Sequence, residues 1–292
     1  MKLKSGWYHL IAFLTASVWG ITFVSTKLLL NAGLSPQDIL FYRFLLAYIC
    51  ILFFGKQRLF AKSLRDEGLF VLLGIFGGSL YFLTENVAVQ ITLASNVSLI
   101  VSIAPLLTTI LSHFFLKNES LKRQVISGSL IAFMGVVLVV FNGEFILELN
   151  PAGDLFSALA AFCWAIYTIL IKQVSNRYST LFITRKVFFY GLLTCLPMFI
   201  ADPLLLDSQI LFQPVVCINL LFLGLVASLT CYFLWNICVK QIGAVYTTNY
   251  VYFVPLVTLA TAFIVLHEHI TIIALIGTFI TMAGVYLANR PR

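Results

Sequence analysis

Apolar runs of about 18 to 24 residues, the length an α-helix needs to cross a bilayer core, recur ten times along the chain. They cover residues 7–30, 36–55, 68–87, 92–116, 124–141, 153–174, 180–200, 215–239, 244–266 and 270–288. The polar residues collect in short connections between them. Connections such as 142–152 and 201–214 fall far short of the roughly 50 residues that an independent domain needs. The pattern predicts an all-α integral membrane protein with ten transmembrane helices, in which any chemistry takes place inside the helix bundle.

Composition agrees with this pattern. Of 292 residues, 61% are hydrophobic and 10% charged, and the mean hydropathy is +1.02; a soluble domain carries about 25% charged residues. The net charge of +7 carries meaning through its placement, and nucleic acid is not an expected partner. Lys2, Lys4, Lys56, Arg58, Lys62, Arg65, Lys117, Lys122, Arg123, Arg177, Lys240, Arg290 and Arg292 fall on one side if the helices alternate. The five opposite connections contain no Lys or Arg and carry Glu144, Glu148, Asp154, Asp202, Asp207 and Glu268. The positive-inside rule then predicts both termini in the cytoplasm and an even number of spans in a cell (inner) membrane. The first run is too long for a signal-peptide core and has no small-residue cleavage site after it, so it reads as a retained helix. Six cysteines lie in or beside apolar runs without a CxxC, which suits buried thiols rather than disulfides.

The two halves of the chain resemble each other. "VWGITFVSTKLL" around Trp19 matches "CWAIYTILIKQV" around Trp164, and the Trp-x7-Lys spacing recurs with Lys27 and Lys172 at an offset of 145 (164 − 19 and 172 − 27). Pro105 and Pro255 follow at 150, and Glu119 and Glu268, Gly128 and Gly277, Gly135 and Gly284 at 149. Residues 1–142 and 143–292 therefore read as two five-helix repeats forming one structural unit. Five being odd, the second repeat enters the membrane from the opposite side. This inverted arrangement lets two halves rock about an in-plane pseudo-twofold axis.

Together with "FYRFLLA", "APLLTTILSHFFLKNESLKRQVISGSLIAFMGVVLV" and "VPLVTLATAFIVLHEHITIIALIGTFITMAGVYLA", these segments resemble the drug/metabolite transporter superfamily, in its EamA-type branch. The resemblance spans essentially the whole chain. It implies a two-repeat carrier with a central cavity, of a kind whose members export amino acids, other metabolites or drugs.

Several residue patterns suit transport. Thr15, Trp19, Thr22 and Thr26 share one face of the first helix, and Ser95, Ser98, Ser102, Pro105, Thr109 and Ser112 one face of the fourth. The ninth offers Tyr246, Thr247, Asn249, Tyr250, Tyr252, Pro255 and Thr258. Each stripe reads either as a cavity wall or as interhelical hydroxyl contacts of about 0.6 kcal/mol each. A substrate site near the bilayer midplane is expected from Trp19, Thr22, Ser98, Ser102, Trp164, Tyr167, Asn249 and Tyr252. Intramembrane charges are candidates for coupling or gating. Glu85, on a face with Gly74, Gly78 and Tyr81, could bind a proton or a substrate ammonium, reach the outer interface, or pair with Arg43. Arg43 could hold a carboxylate or brace Glu85. Lys27 and Lys172 suggest symmetric gate or interface pairs, with Glu119 or Glu268 as the candidate partners. Arg185 and Lys186 read as snorkelling to the cytoplasm. The rows Gly128, Ala132, Gly135 and Gly277, Thr281, Gly284 suit close helix packing, within the scaffold or in a dimer.

The expected function is secondary transport of a small polar metabolite such as an amino acid, by export or exchange, in a monomer or homodimer embedded in lipid, without cofactor or metal. A non-transporting receptor or scaffold is the alternative. An enzyme has the weakest support, since only His267, Glu268 and His269 approach a metal-binding cluster, on a short connection.

Overall fold

The computed structural model describes residues 5–54, 58–92, 94–116, 123–141, 150–200, 202–266 and 272–290. They form the ten expected helices: α1 (Ser5–Asn31), α2 (Pro36–Leu52), α3 (Leu64–Ile91), α4 (Ala94–Val101 and Ala104–Phe115), α5 (Arg123–Phe141), α6 (Pro151–Val174), α7 (Thr180–Cys195, then 3-10 to Ile200), α8 (Pro214–Ile242), α9 (Ala244–Leu266) and α10 (Ile272–Asn289). Seven helical runs are long and apolar enough to cross a membrane by length and composition, and α2, α5 and α10 complete the set.

The helix ends have local causes. Ser35 caps α2, its hydroxyl accepting from the Asp38 amide while Asp38 accepts from the Ser35 amide, so two orphan donors are satisfied reciprocally. Ser63 and Ser179 cap α3 and α7, and Asn150 caps α6 ahead of Pro151. Between α8 and α9 a single residue reverses the chain. It is Gly243, at φ +97°, where a side chain would clash.

Four spans are irregular, at related places in the two halves. α3 contains a π-helical stretch at Ile75–Ser79, and α8 a longer one at Phe222–Thr230. α4 breaks around Ser102 and Ile103, just before Pro105, and α9 narrows to a 3-10 turn over Asn249–Phe253, just before Pro255. Proline cannot donate to the preceding turn, so each break falls where the sequence removes a bond.

The halves interleave. α1 packs on α8 and α9 while its repeat partner α6 packs on α3 and α4; α2 packs on α8 while α7 packs on α3; α2 meets α7, and α5 meets α10. Exchanging the halves reproduces this list, as an internal twofold demands. α5 and α10 approach most closely. A β-carbon on Gly284 would lie 2.3 Å from the Ala132 amide nitrogen, and one on Gly135 would lie 2.4 Å from that of Thr281. The small-residue rows therefore join two spans of one chain. Outward-facing Ile110, Phe114, Met134, Leu193 and Phe279 are exposed, an apolar coat that lipid covers.

Candidate functional site

The repeat-related Trp19 and Trp164 touch edge to face, with ring centroids 4.9 Å apart. Two residues exchanged by a twofold can meet only beside its axis, so this pair lies on the line between the two halves. Trp235 packs on both, and Tyr167 and Tyr81 on Trp164.

A cavity of about 430 Å³ opens at this point, lined by Trp19, Thr22, Phe23, Arg43, Tyr81, Phe82, Glu85, Val101, Trp164, Tyr232, Val251 and Val254. It is a narrow slot, since only about 30 Å³ of it can hold the centre of a water molecule. That is far below the roughly 300–1,000 Å³ of small-molecule sites, so a ligand must part the walls to enter.

Two charges face this slot from the first half of the chain. Arg43 on α2 is 1% exposed; its Nε donates to Ser228 Oγ at 3.0 Å, and its guanidinium lies 4.0 Å from the Phe82 ring centroid. Glu85 on α3 is 7% exposed, and its Oε1 accepts from the Tyr81 hydroxyl at 2.9 Å. They are not ion-paired. Among the described residues, ion pairs within 4 Å join Arg177 to Asp66 and Lys186 to Glu67 only. A desolvated cation–π contact contributes about 2 kcal/mol, against about 2.5–3.5 kcal/mol for one charged side chain at the centre of a membrane helix. The local contacts thus only partly offset the cost of holding two charges here.

The π turns position the aromatic walls. A π segment takes one residue out of the ordinary i to i−4 ladder and can leave a carbonyl for a side chain. The Gly77 carbonyl accepts from the Tyr232 hydroxyl at 2.7 Å, and the Ala227 carbonyl accepts from Trp19 Nε1 at 3.0 Å. These carbonyls are repeat-related (227 − 77 = 150).

Of the residues expected from sequence, Trp19, Thr22, Trp164, Arg43 and Glu85 meet at this cavity. Tyr167 stands behind Trp164, its hydroxyl donating to Asn236 Oδ1 at 3.1 Å. Asn249 and Tyr252 lie apart from the slot: Asn249 accepts from Ser129 and donates to Asn289, and Tyr252 packs among Ala132, Val136 and Val285. Ser98 and Ser102 are buried on α4, Ser102 donating to the Leu99 carbonyl of its own helix. Thr109 and Ser112 likewise bond to carbonyls of their own helix, and Val101 is the α4 residue that lines the slot.

Lys27 and Lys172 do not line the cavity. Lys27 Nζ donates to the Val89 carbonyl at 2.9 Å, and Lys172 Nζ to the Val239 carbonyl at 3.3 Å, so each sits at the C-terminal end of the third span of its own half (239 − 89 = 150). Glu119 and Glu268, and the His267–His269 connection, lie outside the described residues. Arg185 and Lys186 differ from expectation. They do not extend to water: Lys186 pairs with Glu67, and Arg185 donates to the Arg58 carbonyl. Phe82 and Tyr232 were not singled out from sequence. Their offset of 150, the same as for Val89 and Val239, was the available signal.

The EamA-like transporter family model matches residues 6–141 and again 151–290. The chain belongs to the EamA-like transporter family. An uncharacterized transporter of Archaeoglobus fulgidus is 30% identical, with 97% of this chain and 98% of that protein aligned. The "Probable amino-acid metabolite efflux pump" of Escherichia coli is 26% identical over 98% of this chain and 95% of its own. At 26% identity, over 99% and 95%, stands the "Probable terminal-alkyne amino-acid exporter" of Streptantibioticus cattleyicolor. A solved crystal structure, 18% identical, superposes with a TM-score of 0.73 over 97% of this chain and 96% of that one, and shows the same fold. This EamA-family chain is a multi-pass membrane transporter and not an enzyme.

Proposed function

We propose that this EamA-family transporter exports or exchanges a small polar metabolite, an amino acid being the leading class, by alternating access across the inner membrane with both termini in the cytoplasm. The single observation that carries the reading is the slot beside the Trp19–Trp164 contact. A site on the axis between inverted halves is the one place that symmetric rocking can expose to each side in turn. The walls combine aromatic surface with a hydroxyl, a guanidinium and a carboxylate, the mixture that fixes and orients a small molecule. Two relatives with amino-acid export in their names support the class of cargo. Residues 1–142 and 143–292 act as the two rocking halves, and the lysine-rich connections lie on the cytoplasmic side.

The test is flux in proteoliposomes. Purified protein is reconstituted and loaded with a labelled metabolite panel that includes the common amino acids, with and without an imposed pH gradient. Protein-dependent movement of at least one member is expected. A panel that equilibrates no faster than in empty vesicles would remove the transport reading.

A further inference from the structure

We infer that Arg43 and Glu85 read the two charged ends of one ligand, so that the slot selects a zwitterionic α-amino acid with an uncharged, apolar side chain; this rests on the transport reading above. Arg43 takes the carboxylate and Glu85 the ammonium.

The first support is the separation of the two groups. Opposite charges buried in one apolar site would gain most by direct pairing, yet both line the same slot without an ion pair and each is held by its own neighbours. Two fixed, opposite charges facing a gap complement a molecule that brings the reverse pair on one carbon atom. Such a ligand satisfies both at once and adds no net charge to the membrane interior.

Bonding capacity is the second support. The Arg43 bond to Ser228 uses Nε, and among the described residues its two terminal nitrogens carry no hydrogen bond. Those nitrogens form one edge of the fork that grips a carboxylate. Glu85 uses Oε1 for Tyr81 and keeps Oε2 for a donor. Trp164, which also lines the slot, has its buried indole N–H without a hydrogen-bond partner among the described residues, a neutral donor that a ligand oxygen would satisfy if the walls part.

The rest of the lining sets the side chain. Besides Thr22 it is aromatic or aliphatic, with no further charge among the lining residues. A second carboxylate or a side-chain ammonium would be left uncompensated there, which disfavours acidic and basic amino acids and phosphates.

The pair also breaks the internal symmetry. The N-caps Ser35 and Ser179 set the α2–α7 offset at 144, which places Val187 opposite Arg43. The α3–α8 offset of 150 places Trp235 opposite Glu85. There is one charge pair, and so one orientation of the ligand.

The test is binding to the full-length protein in nanodiscs at about pH 6.5, where α-amino groups are protonated, followed by quenching of intrinsic tryptophan fluorescence. The probes are L-leucine and L-phenylalanine, their amides, and the deaminated acids 4-methylpentanoate and 3-phenylpropanoate. The wild type is expected to bind at least one of the amino acids at least about tenfold more tightly than either of its analogues, the size of effect left by an unpaired buried charge. Arg43→Gln should abolish discrimination against the amide alone, and Glu85→Gln against the deaminated acid alone. Equal binding of an analogue by the wild type, or unchanged ratios in both variants, overturns the inference. If Arg43→Gln does not fold, the wild-type ratios decide it. Should no amino acid bind while another metabolite is carried in the vesicle assay, this inference falls and the transport reading stands. Discriminating binding with no flux of any metabolite removes the transport reading and leaves the zwitterion site.

Discussion

Lys186 on α7 forms an ion pair with Glu67 in the first turn of α3, and both side chains are largely withdrawn from solvent, at 4% and 17% exposure. The Tyr190 hydroxyl donates to the same carboxylate oxygen. The pair joins the second half of the chain to the first, at the end of the bundle assigned to the cytoplasm.

Removing one partner of such a pair strands the other. Lys186→Met is expected to destabilise the detergent-solubilised protein by about 3 kcal/mol, the lower range for breaking a buried pair. Arg177, whose bond to Asp66 is the other ion pair across this seam among the described residues, keeps 46% of its side chain exposed, so Arg177→Ala should cost less than about 1 kcal/mol. Thermal unfolding of the two variants checks the order. Equal losses would show that burial does not set the strength of these contacts. The double exchange Glu67→Lys with Lys186→Glu should recover part of the flux lost in either single variant.

Topology can be read by labelling. In a cysteine-free background, Leu59→Cys beside Arg58 and Leu206→Cys in the α7–α8 connection both place a thiol at an exposed position. A membrane-impermeant maleimide added to intact cells should modify Cys at 206 and spare Cys at 59. Labelling of the latter from outside refutes the N-in assignment.

Glu85 is the only carboxylate among the residues lining the slot. Glu85→Gln should lower gradient-driven flux at least about tenfold, as expected for losing a buried charged hydrogen bond, and flatten its dependence on pH. Wild-type flux with a wild-type pH profile in this variant would remove Glu85 from the transport cycle.

Gly284→Val tests the scaffold separately from the site. The added side chain starts 2.3 Å from the Ala132 backbone nitrogen, where nothing can yield cheaply, and overpacking of this kind costs about 1–3 kcal/mol. Folded yield and melting temperature should fall, while apparent affinity in the fraction that folds stays at the wild-type value. An altered affinity would connect the α5–α10 seam to the cavity.

The hydropathy pattern located every span because the bilayer imposes length and apolarity on each, but its edges followed the apolar residues too closely. The predicted run at 68–87 is Leu64–Ile91 in the structure: Ser63 caps a first turn containing Asp66 and Glu67, both held by partners on α7 or next to it. Trp19, Trp164, Arg43 and Glu85 were legible from duplication and from the rarity of intramembrane charge. The α4 serines were a harder case. Period alone places Ser98, Ser102, Thr109 and Ser112 on one buried face, but a hydroxyl that bonds to its own helix leaves no trace in the spacing. The π turns were invisible too, since no residue type demands one. They shift the face on which later residues fall, so a period of about 3.6 residues per turn does not place Tyr232 at the slot.

The π stretch of α3 lies between Glu67 and Glu85, the one at the interhalf seam and the other at the slot. It stores one residue of slack within an otherwise regular rod. Were that slack to migrate past a residue, the residue would turn by about 100° about the helix axis with no net loss of backbone bonds. A helix with such a swivel can convert release of a salt bridge at one end into a changed aim of a carboxylate at the other, without sliding through the bundle. α8 has a π stretch of its own just before Tyr232, so the same migration there would re-aim an aromatic ring that lines the slot.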